Sequence, residues 1–571
     1  MKSIWKYLSM ACVALAFASC VQDLNTKPID EKSTTGFNQD AIFTKIYATL
    51  ATTGQNVDSK VDESGDISGI DEGTSAFYRM MWELNEFPSD EGWWIWGDPG
   101  VAEMRTMEWI GDNYLVKGLY YRYVTDIKYC NHFLANADST TAVGQAQRAE
   151  VRFIRALNYS YLLDMFKFVP FSTKESTDPK NYPDYLSRAE LFEWLETELK
   201  DLTTILPTQR INKYRVDQTA AWMLLARIYL NAKVYIGEEK WQEAKVAADN
   251  ALSNTNYKLY ETSRTNKDGV VYSAYQQLFM GDNDRQGADA YGDSGPADEA
   301  VLLVYQDGNY CRCWGGSMFV IASPRDAGIT PWGVSESWNC FRTSPEFVYK
   351  FRPEDITLDS LKKIKANEYQ MPIILGDDRA ILCSYVAESG KTWALKGGKT
   401  SSLYDSWACP KFTAVYSSSD SLKHVLNSHS QWPDTDIPLI RIAEAYMTKA
   451  EAMYRMGDAG GALDIINNKI RKRAHAKPLA SLDDMTLCDE WSREFWGEGR
   501  RRTDLIRFDL FAGDKANASG YTWEGRPTVA NEKYNWFPVP SDDKKTNPNF
   551  KLQVESKPDA LPGGDGYTYG N

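Results

Sequence analysis

The sequence predicts a mainly α-helical protein: a tetratricopeptide-like scaffold of helical pairs, interrupted by a large irregular, loop-rich insertion that carries short strands. Three observations support this. Apolar stripes at helical spacing recur in both halves, for example Phe153, Leu157 and Tyr161 at i, i+4 and i+8. A large residue followed by small ones, as in Trp241, Ala244, Ala248 and Ala251, lets two antiparallel helices approach closely, and Ala462, Ile466 and Ile470 keep a similar rhythm. Between these halves, residues 256–435 are rich in Gly, Trp and Ser and offer short mixed runs such as VLLVYQDG and CRCWGGSMFVIASP instead of stripes.

Taken in order, residues 1–19 read as an address. Lys2 and Lys6 precede an apolar run from Tyr7 to Phe17 that is too short to span a bilayer. Ala18-Ser19-Cys20 follows, which resembles a bacterial lipoprotein signal whose cleavage leaves Cys20 as a lipidated N-terminus. A secretory signal cut elsewhere is the alternative. Residues 20–36 are polar and form a tether. Residues 37–255 form the first helical block, with helices expected at 37–54, 105–137, 144–168, 187–205, 216–234 and 239–253. Within it, 71–100 is aromatic, acidic and punctuated by Gly and Pro, so it is expected to be a non-helical, surface-forming excursion. Residues 436–515 return to helical pairs, with helices at 438–456 and 459–470, and 516–571 is irregular.

Composition narrows the function. Apolar residues make up 43% of the 571 and charged residues 25%, which excludes disorder and a coiled coil. A net charge of -14 argues against a nucleic-acid partner. The four histidines (His132, His424, His429 and His475) have no metal-site spacing. Of nine cysteines, Cys12 leaves with the signal and Cys20 is acylated; the rest form no disulfide framework and read as small apolar fillers. The 19 tryptophans stand out, because indoles give broad rigid faces suited to binding surfaces as well as cores.

Several blocks in combination resemble the RagB/SusD family of glycan-binding lipoproteins. They are the lipidated start followed by DLNTKPID, then RAEVRFIRALNYSYLLDMFKFVPF, WMLLARIYLNAKVY, PDTDIPLIRIAEAYMTKAEAMYR and REFWGEGRRRTDLIRF. The likeness runs over essentially the whole chain. It implies a helical scaffold with an irregular domain carrying a glycan site. It also implies a lipid-anchored place on the outer face of the outer membrane, and partnership with a SusC-like TonB-dependent porin. The family binds glycan without cutting it, so no catalytic residue and no required cofactor are expected.

A sugar offers apolar C–H faces, which flat rings desolvate, and hydroxyls, which need paired polar groups. Residues 71–98 supply that mixture, with Asp71, Arg79, three crowded indoles and Asp98. In an extended segment Trp94 and Trp96 share a face and Trp93 points oppositely. By resemblance to the starch-binding member, Asp71 and Arg79 match polar contacts, and Trp94, Trp96, Trp314 and Trp338 match aromatic ones. The family's asparagine contact falls at Pro99, which cannot donate, so Asp98 is the expected substitute. Trp96, Trp314 and Trp338 are expected to form an arc suited to the helical turn of a starch-like α-1,4-glucan. Another glycan of the same family's repertoire (dextran or a host glycan) and a tetratricopeptide adaptor for proteins are the competing readings.

The acids Asp284, Asp434 and Asp436 match positions that look like a calcium site in the starch-binding relative; helix capping at Ile437-Pro438 is the plainer duty for Asp436. Arg500, Arg501 and Arg502 lie among acids and are expected to make structural ion pairs. Glu83, Glu86, Asp90 and Glu91 are the only nominees for a glycosidase pair, and they read more simply as a solvated rim.

Overall fold

The computed structural model describes residues 36–54, 65–176, 178, 180–286, 294–326, 331–387, 390–396, 404–419 and 431–555. The expected signal, Cys20 and most of the tether lie outside the described residues.

The scaffold starts with α1 (Gln39–Ala48), where the Asn38 side chain accepts from the Ala41 amide, and α2 (Phe77–Glu86). A short strand β1 (Gly92–Trp94) leads to the long helices α3 (Tyr114–Asn136) and α4 (Ala142–Met165). Asn113 and Thr141 cap them, each side-chain oxygen taking an orphan amide of the first turn. Then come α5 (Arg188–Ile205), opened by a Ser187/Glu190 capping box, α6 (Gln218–Leu230) and α7 (Trp241–Leu252). Successive helices pack on one another, α3 on α4, α4 on α5, α5 on α6 and α6 on α7. Ala244, Ala247, Ala248 and Ala251 are all buried on α7, as close helix approach requires.

The insertion contributes β2 (Ala300–Val304), α8 (Ser317–Ala322) and β3 (Phe341–Thr343). Past it lie β4 (Ile437–Arg441), α9 (Ala443–Arg455), α10 (Ala459–Ile465), α11 (Asp484–Phe495) and α12 (Arg501–Arg507). Helix α9 packs on α7, so helices from either side of the insertion complete one stack.

Three expectations about the helices are corrected. The helix expected at 438–456 begins only at Ala443; the apolar, β-branched run Ile437–Arg441 instead pairs antiparallel with β2. Asp436 therefore precedes a strand. The stretch 71–100 contains a true helix, α2, in which Phe77, Met80, Met81 and Leu84 keep the i, i+3, i+4, i+7 spacing. The helix expected from 105 begins at Tyr114, because Met107 at φ 54 breaks the chain after a short turn of helix at Val101–Thr106.

The basic cluster near the C-terminus is built into the interior. Arg501 forms a two-pronged pair with Asp90 at 2.6 and 2.9 Å, Arg500 meets Asp504 at 2.9 Å, and Arg507 meets Glu451 at 2.9 Å. The rim expected of Glu83, Glu86, Asp90 and Glu91 is overturned: all four are buried. Glu86 accepts from the Gly499 amide at 2.9 Å and Glu91 from Ser492 at 2.7 Å, so these acids tie α2 and β1 to α11 and the turn before α12. The seven cysteines of the described residues are free thiols, six of them buried.

Candidate functional site

Two strands bring the halves of the predicted site together. β1 pairs antiparallel with β3 so that Trp94 faces Phe341, and the pairing continues as the Ile95 amide donates to Cys340 O at 2.9 Å. This carries the Trp96 segment alongside the Trp338–Asn339 segment. The Trp338 amide in turn donates to Ala322 O at 2.9 Å, at the end of α8. On the other side, the Arg79 amide donates to Gly315 O at 3.2 Å and the Trp314 amide donates to Glu72 Oε2 at 3.1 Å. Glycine is required at this seam. A Cβ on Gly315 would lie 2.2 Å from the Ala76 Cβ and 2.7 Å from Gly73 O.

The indoles divide into presented and buried rings. Trp96 is 45% exposed, whereas Trp93 and Trp94 are buried, Trp94 to 3%. Trp94 and Trp96 thus do not share a presented face. The strand ends at Trp94, whose ring stacks on Phe319 at 5.3 Å and 17°, and the chain turns outward only after it. Trp94 therefore offers no face to a ligand; it supports Trp96, whose ring stands edge-on at 6.0 Å. Trp314 and Trp338 are half-buried, with centroids 5.9 Å apart and planes tilted by 45°. Phe319 connects the two groups, 6.3 Å from Trp338. Trp432, 5% exposed, lies 4.6 Å from Trp314 and braces it from behind. Sequence reasoning missed Trp432 and Phe319, and no local signal marks either.

The polar groups surround this cluster. The Asp98 carboxylate accepts from the Trp94 indole N–H at 2.6 Å, so its position is set by a buried ring. Exposed Asp71 accepts from the Gly73 amide at 2.9 Å and the Thr74 hydroxyl at 2.7 Å. Arg79 Nε donates to Glu83 at 2.8 Å, and its guanidinium lies 4.6 Å over the Phe319 ring. Burial alone would lower the Arg79 pKa, but Glu83, Asp71 and Asp98 outweigh it and hold the guanidinium firmly charged. Glu336 adds a carboxylate that accepts from the Trp338 indole at 3.3 Å and from Gln431 at 3.3 Å. The structure thus gathers Asp71, Arg79, Trp96, Asp98, Trp314 and Trp338 from four segments, with Trp94 beneath them.

The three acids read as a calcium set are each held by protein groups, although Asp436 Oδ2 is buried without a hydrogen-bond partner. Asp284 engages the Lys213 ammonium through both its carbonyl at 2.8 Å and its carboxylate at 2.5 Å. Asp434 accepts from the Gly308 amide at 2.8 Å and the Tyr416 hydroxyl at 2.5 Å. Asp436 is buried, accepts from the Gln306 amide at 2.7 Å, and burial pushes its pKa well up. Calcium needs six to eight converging oxygens. Among the described residues no group of three His, Cys, Asp or Glu side chains converges on a point, and the cation among these acids is Lys213.

A second concavity, of about 600 Å³, lies between α3 and the stretches 170–176 and 181–184, lined by Ile127, Lys128, His132, Phe171, Lys174 and Tyr182 among others. Among the described residues no helix is long and apolar enough to cross a membrane.

Stacked helical pairs thus bring the 71–98 segment against the loop-rich insertion, where tilted indoles meet charged side chains, an arrangement suited to a carbohydrate-binding scaffold. Comparison with known proteins agrees. The profile of the SusD family matches residues 322–556. The chain is 33% identical to the starch-binding protein SusD of Bacteroides thetaiotaomicron over 96% of this chain and 98% of that one. The chain belongs to the SusD family. Its fold is shared with a SusD-like carbohydrate-binding protein of Bacteroides fragilis (19% identity, TM-score 0.64, covering 90% of this chain and 98% of that one). It is shared also with a chain crystallised with a xylogluco-oligosaccharide (15% identity, TM-score 0.60, covering 89% and 97%).

Proposed function

We propose that the protein is a cell-surface lipoprotein that captures starch-like α-1,4-glucan on Trp96, Trp314 and Trp338 and passes it to a SusC-like TonB-dependent porin. The observation that carries this reading is the 45° tilt between Trp314 and Trp338, set beside an exposed Trp96. Angled rings follow the curve of a helical α-glucan, whereas a β-1,4-glucan is a flat ribbon that prefers coplanar rings. Arg79, Asp71 and Asp98 fix hydroxyls, and Trp94 and Trp432 hold the platform. The 33% identity with a starch-binding protein supports the same ligand. Binding without bond cleavage is supported by the burial of all four nominated carboxylates, Glu83, Glu86, Asp90 and Glu91, each of which has a protein hydrogen-bond partner. The site is open and several sugar hydroxyls stay wet, so affinity per site falls in the micromolar to millimolar range, about -8 to -4 kcal/mol. Lipidation at Cys20 tethers the body to the outer membrane, facing outward. Calorimetry with maltoheptaose, isomaltoheptaose and a xylogluco-oligosaccharide tests the reading. Heat with maltoheptaose alone supports it; heat only with either of the others transfers the protein to another ligand of the same family.

A further inference from the structure

Arg79 sits in a slot. Gly73 forms one wall, since a Cβ there would lie 2.6 Å from the Arg79 Nη1, and the Phe319 ring forms another at 4.6 Å. Glu83, one helical turn further along α2, closes the slot by accepting from Nε at 2.8 Å. The Arg79 side chain keeps 12% exposure, while the Glu83 side chain has none. Glu83 Oε2 is buried without a hydrogen-bond partner. A buried carboxylate oxygen without a partner costs free energy, so its presence calls for a reason.

We propose that Glu83 is the positioning residue for glycan recognition: it holds Arg79 by Nε so that the guanidinium's outer edge faces the ligand hydroxyls. This rests on the reading of the site given above. A guanidinium fixed on three sides loses little rotamer entropy when a hydroxyl binds, whereas a free arginine loses more with each hydrogen bond it makes.

The same arrangement makes the grip sensitive to pH. The Glu83 carboxyl is raised to about 7, chiefly by burial and also by Asp98 and Asp71, against the downward pull of Arg79. Arg79, Asp71 and Asp98 are the charged groups that face it. Above about 7 the ionised carboxylate holds Arg79 by a charge-assisted bond, which is about twice as strong as a neutral one. Below that, the acid is neutral and the spare Oε2 carries the proton. Stability runs the opposite way. A carboxyl whose folded pKa is raised contributes stability at low pH, and that contribution is lost as pH rises from about 4.3 through 7.

The test is calorimetry with maltoheptaose from pH 5.5 to 8.5 on the wild type, Glu83→Gln, Glu83→Asp and Trp96→Ala, with thermal unfolding of each. The wild-type association constant is expected to rise about three- to tenfold across this range. Glu83→Gln should bind at the wild type's low-pH level with no slope. Glu83→Asp, which keeps the charge on a shorter arm, should bind more weakly and retain a slope. A flat wild-type profile, or a slope that survives in Glu83→Gln, overturns the inference. Trp96→Ala separates the two failures. If it loses binding while Glu83→Gln matches the wild type, only the role of Glu83 falls. If Trp96→Ala also binds as the wild type does, the site itself falls, and with it this inference.

Discussion

Replacing Trp96 by alanine should weaken glycan binding about 30- to 150-fold at small cost to the fold. The ring is 45% exposed and meets Trp94 only edge-on at 6.0 Å, so removing it leaves no closed cavity and costs about 1 kcal/mol of stability or less. The binding loss is larger. A sugar face stacked on an indole covers about 60 Å² of apolar surface, which at about 25 cal/mol per Å² contributes about 1.5 kcal/mol. The ring's quadrupole adds about 0.5–1.5 kcal/mol. Together these make about 2–3 kcal/mol, or about 30- to 150-fold in Kd. From the tight end of about -8 kcal/mol this leaves a Kd of about 30–150 μM, and from the weak end of about -4 kcal/mol it leaves no measurable binding. Affinity electrophoresis through starch-containing gels, with calorimetry and a thermal melt, measures both terms. Trp94→Ala is the contrast: its ring is 3% exposed and stacked on Phe319, so its loss should cost about 3–5 kcal/mol of stability. A Trp96→Ala protein that melts normally and is still retarded by starch would refute the reasoning.

Further expectations follow from the same geometry. Gly315→Ala should destabilise the protein by about 1–3 kcal/mol in urea unfolding and weaken binding, because the new Cβ meets Ala76 and Gly73 and forces apart the segments that carry Arg79 and Trp314; unchanged values for both would contradict it. Burial alone would raise the Glu494 carboxyl, yet Arg473, Arg441 and Arg379 hold it down to about 2. Its contribution is therefore complete above about pH 4.3 and is lost as pH falls toward 2, so the urea midpoint should drop across that window; a midpoint constant down to pH 2.5 would count against the pairing. Since Lys213 occupies the acidic cluster of Asp284, EDTA should leave the melting temperature unmoved. A calcium-dependent rise of several degrees would mean that Lys213 yields its place.

How far the sequence could be read depends on the range of the signal. Helices α4 to α7 were legible because apolar residues recur along them at helical spacing, and Ser187 and Asp217 cap α5 and α6. Helix α2 keeps a helical period in Phe77, Met80, Met81 and Leu84, but the Gly- and Pro-punctuated stretch around it and its polar residues Arg79, Glu83 and Glu86 made the segment read as a surface excursion. The acids after it looked solvated because their partners are remote: Arg501 reaches Asp90 across 411 residues. Alternation along a strand put Trp94 and Trp96 on one face, and that reasoning holds only while the strand lasts; β1 stops at Trp94. The resemblance to a known family supplied Trp96, Trp314 and Trp338, which composition alone could not have chosen among 19 indoles. Phe319 and Trp432, which hold those rings, owe their roles to contacts that only the fold creates.

A crystal of the full mature protein grown with maltoheptaose settles where carbohydrate sits. The account predicts a curved chain of glucose units against Trp96, Trp314 and Trp338, with hydroxyls within hydrogen-bond reach of Arg79 and Asp71. Sugar seated in the groove lined by Ile127, Phe171 and Tyr182, with the three indoles bare, would contradict it.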